Sequence, residues 1–312
     1  MMDRRTFLAR AAVAGAGLLL PAAGFASLRG GSRMPAGMAP AAMDEEDRAR
    51  LASWVRTLRA EGLANGERPL GPAVARVGEL ALGAPYAANT LEAYLAAGGA
   101  PSAEPLTLHL MKFDCVSLVE GALAVARTAA AMDAGWERFA AEIERMRYRG
   151  GVRSDYASRL HYFSEWIADG ARRGLVRDLG PELGGEPDAR PLRFMSEHRA
   201  SYAALRDDAA YAAIVAHERR LDASPRSVVA KARILEIQDR LRTGDVLAFA
   251  TSIAGLDVTH TGLAYRSDDG VMRVLHAPLS GGVVQVSRGT VADYVNGLRS
   301  GTGILVARPL RG

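Results

Sequence analysis

Apolar positions recur at helical spacing through the first two thirds of the chain and at alternate positions through the last third. Residues 44–63 place Leu51, Trp54, Val55 and Leu58 on one helical face. Residues 64–72, rich in Gly and Pro, interrupt the pattern, and 72–82 predict a second short helix. Gly83-Ala84-Pro85-Tyr86 is a turn, after which Thr90-Leu91-Glu92 leads towards a strand or loop. Residues 114–132 are almost continuously apolar, which predicts a helix buried over most of its circumference. A further helix is expected over 136–147, stopped by Gly150-Gly151, and another over 158–171 with Leu160, Phe163, Trp166 and Ile167 inward. Residues 177–191 read as a loop and 194–222 as an exposed helical stretch.

The period then changes to two. Short β-type runs are expected at 233–237, 245–251, 261–265, 271–276, 283–287 and 303–308, divided by Gly- and Asp-rich turns. Helices first and strands after predict an α+β fold, with the 114–132 helix packed on an antiparallel sheet. Residues 44–312 are expected to form a single domain, with a mostly helical insertion over about 152–230.

Export accounts for the N-terminus. Asp3-Arg4-Arg5-Thr6-Phe7-Leu8 is a twin-arginine pattern, and the apolar run over 11–20 is too short for a comfortable membrane span. Residues 1–26 read as a signal peptide, with Gly24 and Ala26 offering a cleavage site, and 27–43 as a flexible spacer. The mature chain is therefore expected in the periplasm or cell envelope. Of the net charge of +4, half comes from Arg4, Arg5 and Arg10 against Asp3. The remainder is too small to suggest nucleic acid or an acidic membrane as partner.

In an exported protein structural cysteines normally come in pairs, so the single Cys115 points to chemistry. Asp114 suits a helix N-cap, and Cys115 then falls in the first turn, where unpaired N–H groups and the helix dipole favour a thiolate. A buried structural cysteine is the alternative. A thiol nucleophile needs a base and a group to orient that base. His260 and His276 fall on consecutive expected strands around a Ser-Asp-Asp-Gly turn, at a separation that suits neighbouring antiparallel strands. His109, His161, His198 and His217 lack metal-site spacing, and no metal or cofactor is expected. Arg145, Arg147, Arg149, Arg153 and Arg159 read as a solvated face, one or two of which could hold substrate carboxylates.

Four segments in this order resemble the NlpC-type papain-like cell-wall cysteine peptidases, and more closely their N-acetylmuramoyl-L-alanine amidase-like branch. They are Phe113-Asp114-Cys115-Val116-Ser117-Leu118-Val119-Glu120, Thr243-Gly244-Asp245-Val246-Leu247, Leu256-Asp257-Val258-Thr259-His260-Thr261-Gly262 and Leu275-His276-Ala277. Leu82-Gly83-Ala84-Pro85-Tyr86 looks like that branch's upstream tyrosine segment. The resemblance implies a papain-like core with Cys115 as nucleophile, His260 as base, His276 as its orienting partner and peptidoglycan as substrate. It also places Tyr86 beside the thiol to hold substrate or oxyanion, although a packed aromatic is nearly as good a reading. Tyr86, Asp114 and Arg159 are the candidate substrate-binding residues. Gly244-Asp245 reads as a structural turn. Val116, where the group usually has a smaller residue, and the insertion depart from the pattern. The competing readings are a thiol acyltransferase on the same fold, a Cys-His-His zinc site and a non-catalytic wall-binding module. A monomer is expected.

Overall fold

The computed structural model describes residues 40–312, so the expected signal segment and most of the expected spacer lie outside the described residues. α1 (Pro40–Ala60) buries Leu51, Trp54, Val55 and Leu58, the face that the spacing predicts. α2 (Gly71–Leu80) carries Pro72 in its first turn, where a missing N–H costs nothing. α3 (Cys115–Ala130) is buried at nearly every position, and α4 (Trp136–Arg147) and α5 (Phe163–Arg172) follow it. α4 ends at Arg147 with an extended Tyr148, before the expected glycine stop; Gly150 and Gly151, with φ values of 65° and 78°, lie in the short turn that follows.

The strands are β1 (Val176–Asp178), β2 (Glu186–Asp188), β3 (Arg226–Ala230), β4 (Val246–Thr251), β5 (Val258–Arg266), β6 (Met272–His276), β7 (Gln285–Val286) and β8 (Gly301–Pro309). They form one sheet in the order β2-β3-β8-β4-β5-β6-β7, with β1 also paired to β8. Every pairing is antiparallel. Alternation along β4 sorts the core into two layers. Val246, Ala248 and Ala250 face the helices α1–α5, whereas Leu247 and Phe249 face a second layer that includes Val291 and Val295 of a terminal helix.

β4 is fixed at its start by close backbone approach. Gly244 has φ 88°, and a Cβ there would stand 2.0 Å from the Gly71 carbonyl oxygen, so the turn into β4 abuts the first residue of α2. The Asp245 carboxylate accepts the Arg242 N–H (2.8 Å) and pairs with Arg308 (2.7 Å). Gly244-Asp245 is structural, as its sequence suggests.

Several expectations need correction. Residues 233–237 form short helical turns rather than a strand, and the strand lies just upstream as β3. The loop expected at 177–191 contains β1 and β2. The insertion carries more helix than strand, but it also lends three short strands to the main sheet. The 158–171 helix begins only at Phe163. The 194–222 stretch breaks into short turns before α6 (Asp208–Leu221), and it is less exposed than expected. Tyr156, Tyr162, Phe194, Met195, Tyr202 and Leu205 gather there into a separate small core.

Candidate active site

A reciprocal capping box sets the start of α3. The Asp114 carboxylate accepts the Ser117 N–H at 2.7 Å, and the Ser117 hydroxyl accepts the Asp114 N–H at 2.8 Å. Cys115 is thereby held as the first helical residue. The preceding Phe113 bridges Tyr86: its N–H donates to the Pro85 carbonyl (3.0 Å), and its carbonyl accepts the Ala87 N–H (2.9 Å). This brings the upstream tyrosine beside the cysteine segment. From β5, the Thr261 hydroxyl donates to the Cys115 carbonyl at 2.9 Å.

Cys115 is only 2% exposed. Burial pushes its thiol up to about 12, and the neighbouring Asp114 charge adds to this, while hydrogen bonds from Thr261 and Val116 pull the other way. The thiolate expected from the helix terminus alone is not the resting state. Desolvation outweighs the dipole, and the thiol rests neutral.

The two histidines meet as their strand spacing predicts. Nε2 of His260 lies 2.8 Å from Nδ1 of His276, with the rings edge to face at 73°. His260 is pushed down to about 3 by burial and then by its partner, and His276 to about 4 by burial. Both imidazoles are neutral near pH 7, so one of the two facing nitrogens carries the shared proton.

Gly262 makes room for this pair. A Cβ there would meet the Leu275 carbonyl oxygen at 2.9 Å and the His276 Cβ at 3.1 Å. Gly262→Ala is expected to shift His276 off His260, with a stability loss of about 1–3 kcal/mol from overpacking and a larger proportional loss of turnover. Urea titration and steady-state rates on the same preparation check this. Unchanged turnover would contradict it.

Two aromatics that the sequence reading missed enclose the pair. Phe249, the cross-strand partner of His260 on β4, stacks on its ring at 5.8 Å and 14°. Tyr294 lies on α7 (Val291–Gly297), whose start is fixed by a Thr290/Asp293 capping box. Its ring stands edge-on to His276 at 4.9 Å and 87° and also packs on Phe249. Thr290-Val-Ala-Asp293 was the available signal for that helix, because a Thr three residues before an Asp is a helix start.

A cavity touches the residues on both sides of Cys115. Tyr86, Asp114, Val116, Thr261, Arg159 and His161 are among its walls. All three expected substrate-binding residues thus line one space, but Arg159 does so already neutralised. It pairs with Glu92 at 2.6 Å and Glu104 at 2.9 Å, and it is buried. Arg147, equally buried, pairs with Glu120 at 2.7 Å, and Arg149 pairs with Glu165. The solvated-face reading fails for these arginines. His161, half-buried, is fixed in this wall. Its Nε2 lies 2.8 Å from the Tyr156 carbonyl, which can only accept, so Nε2 holds the proton and Nδ1 is an acceptor. Among the described residues no group of three or more His, Cys, Asp or Glu is arranged to hold a metal ion. Nε2 of His260 and Nδ1 of His276 are spent on each other.

The histidine pair sets a pH dependence. Tyr294 packs against both rings, and burial followed by His276 accounts for the shift of His260. The unfolded chain binds protons on both imidazoles as pH falls through about 6.5, whereas the folded chain resists until about 4 and 3. This contribution to stability is fully present above about pH 6.5 and declines steadily below it. Any activity that needs a neutral His260 keeps its acid limb below the ordinary histidine range. Rate against pH checks this, and an acid limb at pH 6–7 would contradict it.

The family described as AmiA-like, N-acetylmuramoyl-L-alanine amidase-like, matches residues 76–303. An N-acetylmuramoyl-L-alanine amidase from Bacteroides uniformis is 29% identical, with a TM-score of 0.70, over 77% of this chain and 98% of that one. A Bacteroides fragilis protein described as a candidate xylanase is 31% identical, with a TM-score of 0.67, over 74% of this chain and 99% of that one. A Legionella pneumophila protein shares the fold at 18% identity, with a TM-score of 0.63, over 86% of this chain and 96% of that one. No curated protein matches.

Proposed function

The chain belongs to the AmiA-like family of N-acetylmuramoyl-L-alanine amidase-like proteins, and from this premise we propose that it is an exported cysteine hydrolase cleaving an amide bond of peptidoglycan. The bond is that between muramic acid and L-alanine, or one within the stem peptide. The core is read as NlpC-type and papain-like, with Cys115, His260 and His276 as its catalytic set. The twin-arginine segment would deliver the mature protein to the periplasm or cell envelope. One observation carries the reading: the 2.8 Å His260–His276 hydrogen bond stands one residue from Thr261, whose hydroxyl holds the Cys115 carbonyl.

The chemistry follows from which nitrogen is left. His276 occupies Nε2 of His260, so Nδ1 is the nitrogen that can take the thiol proton, with Nε2–H donated to His276 Nδ1. Sulfur attacks the amide carbonyl as that proton moves. The resulting oxyanion is met by N–H groups of the α3 first turn, with the Tyr86 hydroxyl as a further donor. The C–N bond then breaks, His260 returns the proton to the leaving amine, and a thioester remains. Water, deprotonated by the same nitrogen, hydrolyses the thioester and restores the thiol. Because the resting thiol is neutral, proton transfer accompanies attack rather than preceding it.

Glycosidic cleavage finds less support. It calls for a pair of carboxyl groups flanking the bond, one of them able to donate a proton. Of the four cavity carboxylates, Glu92 and Glu120 are held by Arg159 and Arg147, Asp114 caps a helix, and Asp257, raised by burial, has its oxygens on the Ser164 and Val258 N–H groups. The test is a digestion of purified peptidoglycan with products identified by mass. Glycan ending in free lactyl carboxylate, with peptides beginning at a free alanine amine, would name the amidase bond. Peptides cut after glutamate would name the endopeptidase. No release from peptidoglycan would sink the reading.

A further inference from the structure

A second cavity, of about 260 Å³, adjoins the first and shares Asn89, Glu92 and Tyr202 with it. It is far roomier than an ordered water needs, since a water occupies about 30 Å³. Its other walls are mainly small or apolar, among them Ala93, Leu95 and Ala96, and Arg206 stands at its exposed side. The neck between the cavities holds two unmet hydrogen-bonding groups. The Tyr202 side chain is 2% exposed, yet its hydroxyl has no partner among the described residues. The Asn89 carboxamide oxygen is likewise buried without a partner. Asn89 is also the one non-glycine residue with positive φ (60°) among the described residues, a conformation found at ligand clamps. Buried polar groups are otherwise nearly always paired, so two at one neck mark the place of an absent group.

We propose that this neck and the second cavity form a subsite for a peptide arm that ends in a carboxylate. A peptide unit is the simplest group that satisfies both orphans at once, its N–H donating to Asn89 Oδ1 and its carbonyl accepting from Tyr202. The arm then runs along the small-residue wall to Arg206, whose guanidinium meets the carboxylate. The subsite rests on the peptidoglycan reading above and deepens it, because it assigns this side of the site to the stem peptide rather than to the sugar.

Calorimetric titration of the full mature Cys115→Ala chain tests this, with three probes. One is an acetylated stem tripeptide with free carboxylates, one is the same peptide as carboxamides, and one is a peptide-free disaccharide of the glycan. Arg206→Glu is expected to weaken the first peptide about tenfold or more, as loss of a charge-assisted contact and its reversal would, and to leave the carboxamide peptide unchanged. Tyr202→Phe should weaken both peptides about fivefold, the worth of one hydrogen bond, while the thermal midpoint stays level or rises because an orphaned hydroxyl has gone. The rising midpoint separates a binding role from a structural one. Equal affinity for the two peptides, indifference to Tyr202→Phe, or Tyr202-dependent binding of the disaccharide alone would each overturn the proposal. If wild-type protein digests peptidoglycan and these affinities do not respond, only the subsite falls. If nothing is digested, the reading beneath it falls as well.

Discussion

Replacing His276 with alanine is expected to lower turnover by about 10²–10⁴, the range found when an orienting partner is lost from a catalytic histidine. In the proposed mechanism His260 acts as a base only with its proton on Nε2 and its Nδ1 bare. The 2.8 Å contact to Nδ1 of His276 is what favours that tautomer. His276→Asn, whose carboxamide oxygen can accept the same N–H, should recover part of the loss, and His276→Leu should not. Stability should change far less than activity, because Phe249 and Tyr294 still enclose the His260 side of the site. Steady-state rates on a soluble muropeptide, with thermal midpoints beside them, decide this. Turnover within threefold of wild type for His276→Ala would remove His276 from the catalytic set.

The largest effect on stability is expected from Glu120→Ala. Glu120 is 1% exposed and Arg147 4%, and their 2.7 Å contact lies in the wall of the cavity beside Cys115. Arg147 also donates to the Thr107 carbonyl at 2.6 Å, but one neutral acceptor does not balance a buried cation. Removing the carboxylate should cost about 3–5 kcal/mol, the usual result of breaking a buried pair from one side. Replacing both partners by apolar residues, Glu120→Leu with Arg147→Met, should restore most of it, because the penalty lies in the unpaired charge rather than in the lost attraction. Urea unfolding of the three chains measures the difference. A loss under about 1 kcal/mol in the single variant would mean that water reaches Arg147.

The parts of this molecule that were legible in its sequence are those set by local rules. Asp114, a good N-cap residue ahead of an apolar run, specified both the helix and its start, and Ser117 completes the cap in the structure. Alternation located β4, β5, β6 and β8, and a tight Ser-Asp-Asp-Gly turn put His260 and His276 on neighbouring strands. The parts that were missed depend on what a residue meets across the fold. Arg147 and Arg159 look like solvated arginines until Glu120, Glu92 and Glu104 arrive from distant segments. Residues 226–230 have no clear alternation, since β3 is half-covered on both faces, whereas the branched and apolar residues at 234–237 bury one side of a helical turn. The thiol was misjudged for the same reason. Its place in the helix is local information, but the burial that raises it is tertiary.

The proposed role of Cys115 is tested by incubating purified peptidoglycan with the mature wild-type chain and with Cys115→Ala under identical conditions, and quantifying the released fragments by mass. Release by the wild type is expected, with a fall of about 10⁴ or more in the variant, as for loss of a nucleophile elsewhere, and an unchanged thermal midpoint to show that the variant is folded. Release by Cys115→Ala at the wild-type rate would contradict thiol catalysis and, with it, the roles assigned to His260 and His276.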